Sequence, residues 1–260
     1  DRSLVGSEMC IRDSFKITKE RIDKLMVSNG LAKSREQANS LLMSGNVFIN
    51  EKRVEKAGQQ VKTDSKIEIK GKTYPWVSRG GIKLEKAILE FKLNCDLIIA
   101  LDIGASTGGF TDVLLARGAK KIYAVDVGYG QLDWRLRQNE RVIVKEKTNA
   151  RFLTDQIIKD PLDAIVCDAS FISLKKVLPP GLSLLKTKGW LAALIKPQFE
   201  VGKGLVGKGG VVRDPELHQE VVADIKNWLQ HDMNMYLSGV VESPILGPSG
   251  NKEFVIVANK

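Results

Sequence analysis

Seven short apolar, β-branched runs alternate with helical stretches across the last two thirds of the chain. Strands are predicted at 97–103, 121–127, 141–145, 162–168, 190–196, 237–242 and 253–258. Helices are predicted at about 80–92, 109–117, 174–187 and 214–230. A strand that is apolar on both faces must be covered on both faces, and parallel neighbours need long crossovers. The pattern therefore demands an α/β fold, a mostly parallel sheet with helices on each side. Ligands of such sheets bind beyond the carboxyl ends of the strands. The longest apolar runs, such as 190–195 (WLAALI), are far below the roughly 18 residues that span a bilayer.

The loop after the first strand reads L-D-I-G-A-S-T-G-G-F over 101–110. Gly104, Gly108 and Gly109 allow a tight turn and close approach of a ligand to the backbone. The spacing is not G-x-G-x-x-G, so the dinucleotide fingerprint fails. The second strand runs into Asp126, 24 residues after Asp102. An acid at that point accepts hydrogen bonds from ribose hydroxyls, so a nucleoside cofactor without a pyrophosphate fits best. A second glycine pattern, Gly202, Gly207 and Lys208, satisfies G-x-x-x-x-G-K, but Gly209 replaces the hydroxyl residue that would hold magnesium. It reads as a basic loop in which Lys203, Lys208 and Arg213 are available to phosphates or simply to solvent.

Three charged residues stand at other strand ends, and a fourth lies on the helix before the first strand. Asp168 closes the fourth strand in C-D-A-S-F-I-S-L, and Lys196 closes the fifth in L-I-K-P-Q-F-E. Lys83 lies in S-R-G-G-I-K-L on the helix before the first strand, and Glu253 opens the last strand after G-P-S-G-N-K. Each alone reads most simply as a surface or capping charge. Together, two lysines and two carboxylates at one end of a doubly wound sheet can converge.

A small basic module precedes this one. Ile22, Leu25 and Met26 share one helical face, and Asn29-Gly30 stops that helix. Ser34 with Gln37 marks a capping box, Ala38, Leu41 and Leu42 form the next apolar face, and Gly45 ends it. A strand follows at 46–50, a turn at Glu51-Lys52-Arg53, another turn at Asp64-Ser65 and a strand over Lys66–Lys70. Residues 15–72 hold 13 Lys plus Arg against 7 Asp plus Glu, while 73–260 hold 25 against 21. Residues 15–72 thus carry +6 of the chain's net charge of +9, whereas aromatic residues are only 6% of the whole. That balance favours phosphate electrostatics over base stacking. Residues 73–78, with Gly71 just before and Pro75 inside, read as a linker in which Trp76 packs on one domain or couples the two.

These motifs carry a resemblance. R-I-D-K-L-M-V-S-N-G-L-A-K-S-R-E-Q-A-N-S-L-L-M-S-G-N-V-F-I-N-E-K-R-V resembles the RNA-binding fold named after the fourth protein of the small ribosomal subunit. By that resemblance, Lys19, Arg21, Lys33, Arg35, Lys52 and Arg53 are candidate RNA contacts. V-S-R-G-G-I-K-L, D-I-G-A-S-T-G-G-F-T-D, C-D-A-S-F-I-S-L, K-P-Q-F-E and G-P-S-G-N-K-E are together similar to the TlyA family, ribose 2′-O-methyltransferases also called hemolysins. Over the larger module alone, the chain is also similar to the FtsJ-type methyltransferases. The resemblance covers about 17–258 and implies a Rossmann-like methyltransferase sheet of seven strands, the last antiparallel, behind a small α+β RNA-binding domain. It implies a Lys-Asp-Lys-Glu tetrad at Lys83, Asp168, Lys196 and Glu253. It also implies an S-adenosylmethionine site at Asp102, Gly104, Ala105, Ser106, Thr107, Gly108, Gly109, Phe110, Asp126 and Val127. Where family members often carry Arg-x-Trp-Val, this chain has Tyr74-Pro75-Trp76-Val77.

The implied reaction moves a methyl group to a ribose 2′-hydroxyl, with cytidines of ribosomal RNA as expected targets and no metal required. A hydroxyl is a poor nucleophile, so a base must orient it or take its proton. Lys196 is the expected group, its pKa lowered by burial or by the Lys83 cation, with the carboxylates orienting both lysines. Base methylation is disfavoured because Asp168-Ala-Ser-Phe stands where amino-methylating enzymes carry Asn/Asp-Pro-Pro-aromatic. A non-catalytic assembly factor is disfavoured by the intact glycine loop and tetrad, and a membrane-lytic protein by the missing span and secretion signal. Cys10, Cys95 and Cys167 form neither a disulfide framework nor a C-x-x-C pair, and the only histidines are His218 and His231. A reducing, cytoplasmic compartment is expected. Residues 1–14 (DRSLVGSEMCIRDS) lack periodicity and read as a non-native or disordered leader.

Overall fold

The structure, a computed structural model, describes residues 18–260 apart from 33, 44, 55, 57, 71–73 and 248. The expectations for residues 1–14 and for Lys33 lie outside the described residues. The chain divides into two compact units at Lys72/Thr73.

In the small unit, β1 (Lys19–Arg21) leads directly into α1 (Ile22–Ser28), and α2 (Arg35–Met43) follows. The left-handed Gly30 closes α1, at φ +70°. Ser34 Oγ accepts from the Gln37 N–H at 3.2 Å and so caps α2 as its sequence spacing predicts. Then come β2 (Val47–Ile49), β3 (Lys52–Arg53), β4 (Gln60–Lys62) and β5 (Ile67–Ile69). The turn between β2 and β3 is Asn50-Glu51, at φ 48° and 65°. Two left-handed residues in succession make a hairpin turn whose twist suits the flanking strands. Lys52 and Arg53, read from sequence as part of the turn, are therefore strand residues pairing with Ile49 and Phe48. Strand β1 pairs with β4, a pairing no local signal announced. Ile22, Met26, Ala38, Leu42 and Val47 form the core of this unit.

The large unit opens with α3 (Gly80–Phe91), β6 (Ile99–Ile103), α4 (Gly109–Ala116), β7 (Lys121–Val125), α5 (Trp134–Arg137) and β8 (Val142–Lys145). It continues through β9 (Leu162–Cys167), α6 (Leu174–Val177), α7 (Pro179–Ser183), β10 (Leu185–Ile195) and α8 (Pro197–Glu200). Last come α9 (Pro215–Asn227), β11 (Tyr236–Glu242) and β12 (Phe254–Asn259). The seven strands order as β11-β12-β10-β9-β6-β7-β8. Strands β6 to β10 pair in parallel, whereas β12 runs antiparallel to both β10 and β11.

Strand residues alternate between two cores. Ala100, Ala164, Val166, Ala192 and Leu194 face one side with Leu84 and Val113 of the helices α3 and α4. Leu101, Ile165, Cys167, Leu191 and Ala193 face the other with Leu174, Leu182 and Ile225. Two buried faces explain the unbroken apolar runs. The chain passes from β6 outward to β8, then returns to place β9 on the other flank of β6. That reversal opens a crevice at the carboxyl ends of β6 and β9.

In the large unit two expectations change. The helix expected over 174–187 is two short helices, because Pro179 lacks the N–H that would continue the first, and residues 185–187 already belong to β10. Helix α9 ends at Asn227 and continues as a π-helical turn over Trp228–Asp232. The end of the expected linker packs into the large unit. Trp76 and Val77 are core residues, the Trp76 indole N–H donates to Glu85 at 3.0 Å, and the Val77 N–H donates to Asp112 at 2.7 Å. A Cβ on Gly81 would lie 2.5 Å from Trp76 Cγ, so glycine at 81 makes room for the indole. Among the described residues no helix is long and apolar enough to cross a membrane.

Candidate active site

A cavity of about 330 Å³ lies in the crevice between β6 and β9. Gly104 and Ala169 form its floor, Ile103 and Val125 its apolar wall, and Asp126 and Asn149 its polar edge. Gly104 sits at φ +79°, and a Cβ there would meet Ala169 Cα at 2.9 Å. Glycine is thus needed where the two strand ends approach each other. Asp126 Oδ2 accepts from the Ser106 N–H at 2.8 Å, and Oδ1 accepts from the Gly128 N–H at 2.7 Å. Each oxygen keeps a further lone pair, so the carboxylate is fixed in place and still able to accept from a diol. A walled, mostly apolar cradle with the Asp126 carboxylate at its edge suits the nucleoside of S-adenosylmethionine.

Beside this cavity the four charged residues converge. Lys83, carried by α3, places Nζ 2.6 Å from Glu253 Oε2 and 3.6 Å from Asp168 Oδ2. Lys196 Nζ lies 2.5 Å from Asp168 Oδ1, 3.1 Å from the Asp168 carbonyl oxygen and 2.9 Å from Ser170 Oγ. Lys83, Lys196 and Glu253 are buried, and Asp168 is partly open and lines the cavity. Burial disfavours the Lys196 charge, yet the Asp168 and Glu253 carboxylates outweigh it and raise its pKa above that of an ordinary lysine. Burial likewise disfavours ionised Asp168, and Lys196 and Lys83 outweigh it to hold the carboxyl below its usual range. The expectation of a lysine with lowered pKa is overturned. Lys83 is held between two carboxylates and does not act on Lys196 as a lone cation. Lys196 is an ammonium with three acceptors around it.

The predicted cofactor residues separate into two groups. Gly104, Ser106, Asp126 and Val127 line the cavity. Asp102, Ala105, Thr107, Gly108, Gly109 and Phe110 do not, because protein packing claims them. A Cβ on Gly108 would meet Leu136 at 2.2 Å, and one on Gly109 would meet Ser78 Oγ at 2.3 Å. Phe110 and Ala105 are core residues, and the Thr107 carbonyl accepts from the Asp133 N–H. Asp102 is buried beneath the turn. Its Oδ2 accepts from the Thr111 hydroxyl at 2.6 Å, while Oδ1 has no partner among the described residues. Sequence reading missed Gln131, Asn149, Ser170 and Phe171, which complete the walls. Ser170 and Phe171 could have been read from C-D-A-S-F, since residues just past a strand end face the crevice; Gln131 and Asn149 lie in loops with no such mark.

Burial pushes the Asp102 carboxyl up to about 7, against the Thr111 hydrogen bond. A folded-state value above the unfolded one, about 3.9, contributes stability at low pH that is lost as pH rises toward 7. Between pH 5 and pH 8 this loss amounts to about 3 kcal/mol, at about 1.4 kcal/mol per pH unit up to pH 7. Asp102→Asn is expected to shrink the stability difference between those pH values by that amount in urea titrations. An unchanged difference would show that Asp102 ionises normally in the fold.

In the small unit, Lys19, Arg35, Lys52 and Arg53 are exposed, and Arg21 is half-exposed. Lys19 pairs across β1–β4 with Lys62, which concentrates positive charge on that ribbon. Arg21 and Arg35 both end on the buried carboxylate of Asp23.

The sheet order, the antiparallel β12 and the cavity at the β6–β9 crossover together define a Rossmann-like methyltransferase with a separate basic unit. The FtsJ-like methyltransferase model matches residues 76–260, and the S4 domain model matches residues 20–67. The chain belongs to the TlyA family of FtsJ-like methyltransferases. It is 45% identical to the 16S/23S rRNA (cytidine-2′-O)-methyltransferase TlyA of Mycobacterium tuberculosis, over 91% of this chain and 88% of that one. It is 40% identical to Hemolysin A of Brachyspira hyodysenteriae, over 90% of this chain and 98% of that one. A solved hemolysin-named structure from Streptococcus thermophilus is 41% identical with a TM-score of 0.73, covering 94% of this chain and 89% of that one.

Proposed function

We propose that this protein transfers a methyl group from S-adenosylmethionine to the 2′-hydroxyl of a cytidine in ribosomal RNA, and so works in the cytoplasm. The observation that carries the reading is the shared wall: Asp168 and Ser170 line the cavity and also bind Lys196. Gly104, Ser106, Asp126 and Val127 would hold the cofactor, which when bound supplies an electrophilic methyl group. Lys196 positions the incoming hydroxyl. Its ammonium donates to the 2′-oxygen in place of Ser170 Oγ and leaves a lone pair free for in-line attack. The protonated ether formed by attack is strongly acidic, so the Asp168 carboxylate beside Lys196 is base enough to take the proton. Glu253 and Lys83 fix Asp168 from behind. The small unit supplies phosphate contacts through Lys19, Arg21, Arg35, Lys52 and Arg53, with Lys33 assigned by resemblance.

Incubation with ribosomal subunits and methyl-labelled cofactor, followed by mapping of ribose methylation, tests the reading. Label at a cytidine 2′-oxygen is expected, and label on a base or no label refutes it. Asp126→Ala is expected to weaken cofactor binding by ten- to a hundredfold, the worth of a hydrogen bond to a charged acceptor. Calorimetry on the free protein measures this directly, and an unchanged dissociation constant would leave Asp126 as a turn residue only.

A further inference from the structure

The carboxylate of Asp23 lies inside the small unit's basic face. It is fully buried and ion-paired to two arginines. Arg21 grips it as a fork, Nε to Oδ1 at 3.0 Å and Nη2 to Oδ2 at 3.0 Å. Arg35 reaches it from the first position of α2, Nη2 to Oδ2 at 2.8 Å and Nε to Oδ2 at 3.3 Å. The backbone N–H of Lys24 donates to Oδ1 at 3.0 Å. One buried oxygen thus receives both guanidinium groups. An arginine carries five N–H donors, and each of these spends two on Asp23. Among the described residues the other three on each side chain meet no acceptor, and the two side chains are 42% and 53% exposed.

A buried carboxylate needs one arginine to offset its charge, and the second leaves the cluster with a net charge of +1. Both planes are pinned by bidentate or near-bidentate contacts, so little side-chain entropy remains to be lost when an anion docks. The strongly held charge on Asp23, kept well below the ordinary carboxylate range by Arg21 and then Arg35, keeps the arrangement intact at every pH of interest.

We propose that Asp23 is a positioning residue that sets Arg21 and Arg35 side by side as a clamp for one backbone phosphate of the RNA substrate. The proposal rests on the reading of the small unit as an RNA grip. The clamp matches the phosphate in charge, −1 against +1, and in geometry, since guanidinium edges pair bidentately with phosphate oxygens.

The proposal has a test in which two physical effects oppose each other. Asp23→Asn removes a negative charge from a surface that binds a polyanion, so bulk electrostatics alone tightens RNA binding. Loss of the clamp weakens it. With the full-length protein and a ribosomal RNA fragment at fixed salt, Asp23→Asn is expected to raise the dissociation constant about tenfold, with turnover at saturating RNA unchanged. Equal or tighter binding overturns the proposal. Arg35→Lys keeps the charge and loses the planar fork, and the same weakening is expected. It decides the matter if Asp23→Asn lowers the melting temperature of the small unit, and unchanged affinity there overturns the proposal. The double variant Arg21→Gln, Arg35→Gln separates the two levels. If it leaves affinity untouched, the clamp fails, whereas the reading of this unit as an RNA grip through Lys19, Lys52 and Arg53 stands. If it weakens binding while Asp23→Asn does not, only the positioning role fails.

Discussion

Lys196→Ala is expected to reduce methyl transfer by about 10²- to 10⁴-fold, the range seen when a positioned proton donor or acceptor is removed. Cofactor affinity should stay within about twofold, because Lys196 stands behind the cavity wall and contributes no lining atom. The alanine leaves Asp168 with Lys83 as its remaining cation, at 3.6 Å, so the carboxylate stays ionised and the fold keeps its sheet. Single-turnover measurements with RNA bound and cofactor saturating isolate the chemical step. Near-normal rates would remove Lys196 from the mechanism.

Lys83→Met is expected to damage both stability and activity. Glu253 is fully buried, its Oε2 contacts Lys83 at 2.6 Å, and its Oε1 has no hydrogen-bond partner among the described residues. Removing the lysine strands a carboxylate that cannot reach water and keeps only the more distant charge of Lys196, with no hydrogen-bonded cation. Breaking a buried pair in this way costs about 3–5 kcal/mol. The double variant Lys83→Met, Glu253→Leu removes both charges and is expected to recover most of the stability, since a well-packed apolar pair replaces an ion pair at little cost. It should recover none of the activity, because Asp168 then loses the cation that fixes it from behind. Urea titrations of the single and double variants, paired with transfer assays, measure the two effects. Equal stabilities would mean that Glu253 is protonated or hydrated in the absence of Lys83.

The inner strands of the large unit were legible because their alternate residues feed two separate cores, unlike the edge strand β11, where Tyr236, Ser238 and Glu242 are exposed. A strand that is apolar at every position announces itself whatever its neighbours do. Leu101 and Ala100 face opposite cores, and both had to be apolar. Lys83, Asp168, Lys196 and Glu253 were legible for a related reason. Each stands next to an apolar element, at a place where charge has no packing role to fill. The glycine loop was only half legible. Glycine at 104, 108 and 109 shows that something comes close to the backbone, but not what. At 104 it is the facing strand end bordering the cavity, whereas at 108 and 109 it is Leu136 and Ser78.

The residues by themselves determined the α/β class and the concentration of positive charge over 15–72, and they marked four charged positions that the family resemblance joined into one tetrad. Periodicity, composition and strand-end position are local properties and need no partner to be read. Only the tertiary structure decided the protonation of Lys196, because that depends on which charges lie within a few ångströms. Spacing along the chain leaves open whether Lys83 faces Lys196 or Asp168. The fold places a carboxylate beside each lysine, and the favourable pairing outweighs the burial that alone would have discharged Lys196. Asp23 shows the same division. In sequence it is one acid among basic residues on a helical turn, and only the packing of α1 against α2 brings Arg35, twelve positions away, onto the oxygen that Arg21 already holds.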